Sequence, residues 1–355
     1  MVNSSAHRDE RLRRPATGGS VLLGGTKVSY VPDGVLLGRP RAWLPDTTER
    51  TWAEHPEYLD ASGYLVASVG GLLVEHGDRA LLIDAGLGPY AMPGDPATPN
   101  GPVRGGALLD SLAALGRAPE HIEAVALTHL HPDHTGWAAH VAPGAARPAF
   151  TRATYLVAAP EWARYGSPTP DGAAEEPAAT LAPQVRTVAD GEEVFPGVRA
   201  RFAPGHTTGH TEYVITGGGR RLIAFGDSLH APIQVDHPEW TCVWDDDPAA
   251  AAGHRRRLVA ELAEPGTLGF GVHFADVVFG RVRRGGSGSG LAPPGRRGSE
   301  VTPSWWPRGR AVRRLRTACA PAAPPRPGAS RRRGGPRRGT RRRRPRGGPR
   351  GPPPG

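Results

Sequence analysis

Cysteine is scarce. Cys242 and Cys319 are the only two in 355 residues, too few for a disulfide framework or a cysteine-rich zinc module. This usage is compatible with a reducing cytoplasm. Long apolar runs are also missing: nothing approaches the roughly 20 apolar residues of a membrane helix. The start, Met1-Val2-Asn3-Ser4-Ser5, runs into a charged stretch from His7 to Arg14 with no apolar secretion segment behind it. The expectation is a cytoplasmic protein with no membrane partner.

Negative charge is nearly absent from the C-terminal part. From Arg281 onward 22 arginines stand against one acid, Glu300, a balance of +21 that leaves −11 on residues 1–280 out of the chain's +10. A mildly acidic body lacks the basic face that binds nucleic acid, so a nucleic-acid partner is expected only through the tail. Residues 283–355 mix arginine with Gly, Pro and Ala and contain no lysine. Their apolar surface is too small to offset the entropy of ordering, which predicts a disordered Arg/Pro/Gly-rich tail. Two origins stay open, a genuine basic tail or an out-of-frame reading of a G/C-rich gene, since all these amino acids have G/C-rich codons.

Residues 1–25 are read as a flexible N-terminal segment and residues 26–282 as one domain of layered α/β architecture, in which short apolar runs alternate with helical stretches and turns. Tyr64–Val74 and Arg79–Asp84 read as hairpin strands, and Ile122–Leu127 as a short buried strand. Leu108, Leu109, Leu112 and Leu115 fall on one helical face. Later strands are expected at Thr154–Ala158, Val198–Phe202, Tyr213–Thr216, Leu222–Gly226 and Thr267–His273. Asp247-Pro248 reads as an N-cap with proline at the first helical position.

Directly after the strand to Leu127 comes Thr128-His129-Leu130-His131-Pro132-Asp133-His134, three imidazoles and a carboxylate within six residues. Imidazole nitrogen and carboxylate oxygen suit zinc and similar divalent ions, and a compact turn can aim them at two adjacent points. A lone histidine is more often a core or surface residue than a ligand, but four ligand types in this order have few other uses. Further candidates stand where strands end: His206 in Pro204-Gly205-His206, Asp227 after Gly226, and His273 after Gly271-Val272. Loops at one sheet edge are where such folds gather ligands.

These motifs, together with Leu82-Ile83-Asp84-Ala85-Gly86 and taken in this order, resemble the metallo-β-lactamase superfamily over roughly residues 26–282. The resemblance implies a four-layer αβ/βα sandwich with two zinc ions at one edge. His129, His131 and His206 would hold the first; Asp133, His134 and His273 the second; Asp227 would bridge both. Asp227 stands where true β-lactamases carry Cys or another residue, which argues against antibiotics as substrate. His131 stands where flavodiiron reductases carry Glu. The full ligand set argues against the single iron of persulfide dioxygenases, and no room remains before Gly280 for the cap domain of nucleic-acid-processing members.

What remains is the lactonase, organophosphate-hydrolase and glyoxalase II side, acting on a small molecule. Two cations roughly 3.5–4 Å apart lower the pKa of a shared water from 15.7 to about 7. The bridging hydroxide would attack the carbonyl of a lactone or carboxylic ester, its oxygen polarised by one metal. Asp133 and Asp227 are the expected catalytic residues, Asp133 helping to take up the proton. Thioester hydrolysis, iron-dependent redox chemistry and nucleic-acid binding through the tail are the alternatives, and oligomeric state is left open. Asp84 is read as orienting a liganding imidazole or as a strand cap. His210 and His230 are read as structural in preference to pocket residues, and Trp52, Tyr58, Trp137, Trp162, Tyr165, Trp240 and Trp244 as pocket wall or core.

Overall fold

The run from Leu65 to Val74 is apolar or small without a break, the pattern of a strand covered on both faces. In the computed structural model, which describes residues 10–166, 176–283 and 291–292, it lies at the centre of the first of two mixed sheets. That sheet comprises β1 (Gly19–Leu23), β2 (Thr26–Gly38), β3 (Leu65–His76), β4 (Arg79–Ile83), β5 (Ala91–Met92), β6 (Asn100–Arg104), β7 (Ala124–Ala126), β8 (Thr154–Ala158) and β9 (Val185–Val188). Its order is β5-β6-β2-β3-β4-β7-β8-β9, with β1 also on β2. The second sheet runs in sequence order through β10 (Glu193–Phe195), β11 (Val198–Phe202), β12 (Thr211–Gly217), β13 (Arg220–Ala224), β14 (Thr267–Phe270), β15 (Phe279–Val282) and β16 (Leu291–Ala292).

Alternation along each strand divides its side chains between two cores. Leu72, Val74, Leu81 and Ile83 meet Val198, Tyr213, Leu222 and Phe270 of the other sheet. Their neighbours Leu73, Leu82 and Val125 pack outward on helices α1 (Leu108–Ala114) and α2 (Pro132–Ala139). On the far side Ile223 and Phe225 meet Leu258 and Leu262 of α3 (Pro248–Leu262), where Asp247 caps the first turn by accepting from Ala250 N. The result is the α/β four-layer sandwich expected from the sequence. β4, β7, β8 and β9 pair in parallel, as do β13 and β14. The segments that carry the candidate residues leave the C-terminal ends of β7, β11, β13 and β14, and α/β sheets characteristically bind their ligands at such ends.

One expectation is corrected. Residues 19–23 form a strand on β2, so the segment ahead of Thr26 is not flexible as a whole. Leu12 and Ala16 are buried and Leu23 is fully so, because Ala16 and Leu23 join the core between the sheets and Leu12 the core beneath α3. Apart from Arg283 and β16, the expected tail lies outside the described residues.

Candidate metal centre

All seven residues singled out from the sequence converge at one end of the sandwich. His129 and His131 lie in the turn between β7 and α2, and Asp133 and His134 in the first turn of that helix, which Pro132 opens. His206 follows β11, Asp227 follows β13 and His273 follows β14. Gly226, at φ 49°, lets the Asp227 turn come close to His210: a Cβ there would lie 2.7 Å from His210 Nε2.

The donor atoms fall into two groups. His206 Nε2 lies 3.3 Å from His129 Nε2, 3.1 Å from His131 Nδ1 and 3.4 Å from Asp227 Oδ2. Beside these, His273 Nε2 lies 3.4 Å from Asp133 Oδ2 and 3.1 Å from Asp227 Oδ1, while His134 Nε2 is 3.2 Å from the same Oδ1. Within each group the ligand atoms lie within 4.8 Å of one another. Asp227 thus gives one oxygen to each.

The opposite edge of nearly every imidazole is fixed. His129 Nδ1 faces Thr128 Oγ1 at 3.0 Å, and that hydroxyl donates to Asp84. His134 Nδ1 faces Asp84 Oδ2 at 2.8 Å and His273 Nδ1 the Ser68 carbonyl at 2.9 Å. His206 Nδ1 faces Asp245 Oδ1 at 3.3 Å, and Arg255 and the Cys242 amide hold the other Asp245 oxygen. A ring that donates from Nδ1 leaves the lone pair of Nε2 for a cation. His210 works differently: its Nε2 accepts from the Asp227 amide at 3.0 Å, and burial pushes its pKa down to about 3.

The electrostatics suit cations. Burial lowers the pKa of His129 and His206 and takes His131 to about 4, which keeps these rings neutral. Burial opposes charge on His134 too but is outweighed by the carboxylates of Asp227, Asp84 and Asp133. Burial disfavours the Asp227 carboxylate, yet His273, His134 and His230 hold its pKa well below the usual range. Asp227 Oδ1 and His134 Nε2 are buried with no hydrogen-bond partner among the described residues. Buried polar atoms are rarely left so, and a cation between them would satisfy both. The residues present therefore fit two divalent ions.

A cavity of about 550 Å³ opens above the donors. Asp133, Asp227, His230 and His273 line its floor, and its walls are mostly apolar, among them Leu36, Trp43, Leu87, Met92 and Trp244. Of the aromatics weighed from the sequence, only Trp244 lines it. Trp52 and Trp137 are buried in the cores, their indole N–H groups donating to Thr47 and Asp33. Trp43 and Tyr90 line the cavity but went unnoticed, as nothing in their local sequence marks them. His230, read as structural, is buried in the cavity floor with its Nε2 3.3 Å from Asp227 Oδ2.

The chain belongs to the metallo-beta-lactamase superfamily, whose family profile matches residues 71–271, more than half its length. Among solved structures it is similar to AidC, described as a dizinc quorum-quenching lactonase in complex with a product, at 21% identity and a TM-score of 0.67 over 79% of this chain and 98% of that one. The hydrolase AbOPH gives 24% and 0.66 over 81% and 100%. A B. thuringiensis AiiA variant with N-decanoyl-L-homoserine at its active site gives 18% and 0.54 over 72% and 94%. No curated protein sequence matches the chain.

Proposed function

We propose that this chain is a dinuclear zinc hydrolase of lactones or carboxylic esters that carry an apolar substituent. The observation that carries the reading is the split of Asp227, one oxygen toward each donor group, on the floor of a cavity with apolar walls. His129, His131 and His206 would hold the first ion and Asp133, His134 and His273 the second. Divalent ions held there would supply hydroxide at neutral pH and polarise a carbonyl oxygen.

The protein's own groups do the rest. Asp227 offsets the repulsion between two cations. Asp133 retains 19% side-chain exposure, so its carboxylate can take up a proton and pass it to solvent. His230 presents its ring to the cavity floor, within reach of a substrate oxygen held over the donors. The apolar wall receives the substituent and excludes water from it. A product-bound lactonase of the same fold, and a second protein of that fold with N-decanoyl-L-homoserine at its active site, support lactones as the first class to test. A reducing compartment suits the buried free thiol of Cys242, consistent with a cytoplasmic site of action.

A panel of N-acyl homoserine lactones, aryl esters, thioesters and phosphotriesters on zinc-loaded protein tests the proposal. Lactones or esters should give the highest kcat/KM, rising with the length of the apolar substituent. Preference for thioesters or phosphotriesters by tenfold or more would overturn the substrate class.

A further inference from the structure

Glu161 ends a short helical turn, Ala159–Glu161, that follows β8, and its side chain is 1% exposed. No cation pairs with it among the described residues. A buried carboxylate without an ion pair is costly unless hydrogen bonds replace its water, and here three donors do so. Leu130 N donates to Oε1 at 3.0 Å. Thr207 Oγ1 and Gly209 N donate to Oε2 at 2.8 and 2.9 Å.

Those donors belong to two separate turns. Leu130 sits between His129 and His131, and Thr207 directly follows His206. A single carboxylate therefore ties together the turns that carry all three histidines of the first donor group. The fit is close: a Cβ on Gly209 would lie 2.2 Å from Glu161 N, so the turn after His206 is pressed against the backbone that presents the carboxylate. Asp84, by contrast, contacts His134 of the second group directly and reaches the first group only through the Thr128 hydroxyl.

We infer that Glu161 is a positioning residue that fixes the separation of the His129–His131 turn from the His206 turn, and so tunes the first metal position selectively. The inference rests on the metal-centre reading above. Loss of such supporting hydrogen bonds typically weakens metal binding about 10–100-fold.

The test is cobalt titration of the metal-free full chain, wild type against Glu161→Gln, Glu161→Ala and Thr207→Val, following both visible absorption and the metal-induced rise in Tm. The wild type should take up two equivalents. Glu161→Ala should weaken one of them at least tenfold and leave the other within twofold. Glu161→Gln turns an amide N–H₂ toward a donor and should fall between, and Thr207→Val, which removes one bond, should weaken the same equivalent a few-fold. At saturating metal kcat should fall more than KM changes. If Glu161→Ala does not fold, Thr207→Val decides on the same readout. Unchanged binding in folded variants, or equal weakening of both equivalents, would overturn the inference. Failure of the wild type to bind two ions would instead overturn the metal centre itself.

Discussion

Asp84 Oδ2 lies 2.8 Å from His134 Nδ1, and Asp84 holds this contact from a left-handed backbone at φ 60°. A non-glycine residue there costs on the order of 1–3 kcal/mol, although Asp tolerates the region better than most. Its carboxylate also accepts from the Thr128 amide and hydroxyl, so it supports the imidazoles of both donor groups.

Asp84→Gly should therefore separate stability from metal binding. The metal-free variant should melt no more than a few degrees below wild type, since relief of strain offsets the lost hydrogen bonds. Zinc affinity should drop about 10–100-fold, read by competition with a chelator. Wild-type affinity in this variant would remove Asp84 from the metal centre.

His230→Phe should leave zinc content unchanged and lower kcat by about 100–1,000-fold, the range of one general-acid or oxyanion contact. The phenyl ring is of similar size but lacks the ring nitrogens, so the cavity keeps its shape and loses the polar contact. Loss of zinc in this variant would make His230 a ligand instead of a substrate contact.

Trp244 is 41% exposed and lines the cavity. Trp244→Ala should raise KM about tenfold for substrates with long apolar substituents, equivalent to about 1.4 kcal/mol of lost apolar contact. It should change kcat less than twofold and barely affect short-chain substrates. An equal effect on both would show that the substituent does not lie on this wall.

Glu212 is fully buried, with Ser228, His254 and Arg201 around it. Burial favours its protonated form, but His254 and Arg201 bring its pKa down to about 2 from an ordinary 4.5. A carboxylate depressed on folding stabilises above its unfolded pKa, and that stability is lost as pH falls from about 4.5 toward 2. Its full extent is on the order of 3 kcal/mol. Urea unfolding of chelated protein should show the gap between wild type and Glu212→Gln narrowing from pH 6 to pH 3. A gap independent of pH would contradict the assignment.

The seven donors were legible because each sits in a short motif at the end of an apolar strand, where chain order and residue type suffice. The groups that orient them were legible only in part. Asp84 stands in its own motif, but Ser68 acts through a backbone carbonyl 205 residues away from His273. Asp245 is one of three consecutive aspartates, and nothing local distinguishes it from Asp246 or Asp247. Aromatic residues were ambiguous for a similar reason: Trp137 is buried and Trp244 lines the cavity, and only tertiary packing separates them. Strand β1 escaped notice because Gly18, Gly19, Gly24 and Gly25 around it read as a flexible stretch, whereas its order comes from pairing with β2.

Hydrolysis at this site would require two ions held together by Asp227. The most direct test is turnover of an N-acyl lactone by metal-free protein titrated with zinc, alongside Asp227→Ala. Activity should climb to a plateau at two zinc per chain, and the variant should stay at least a thousandfold below it at any zinc concentration. A plateau at one equivalent, or substantial turnover by Asp227→Ala, would contradict it.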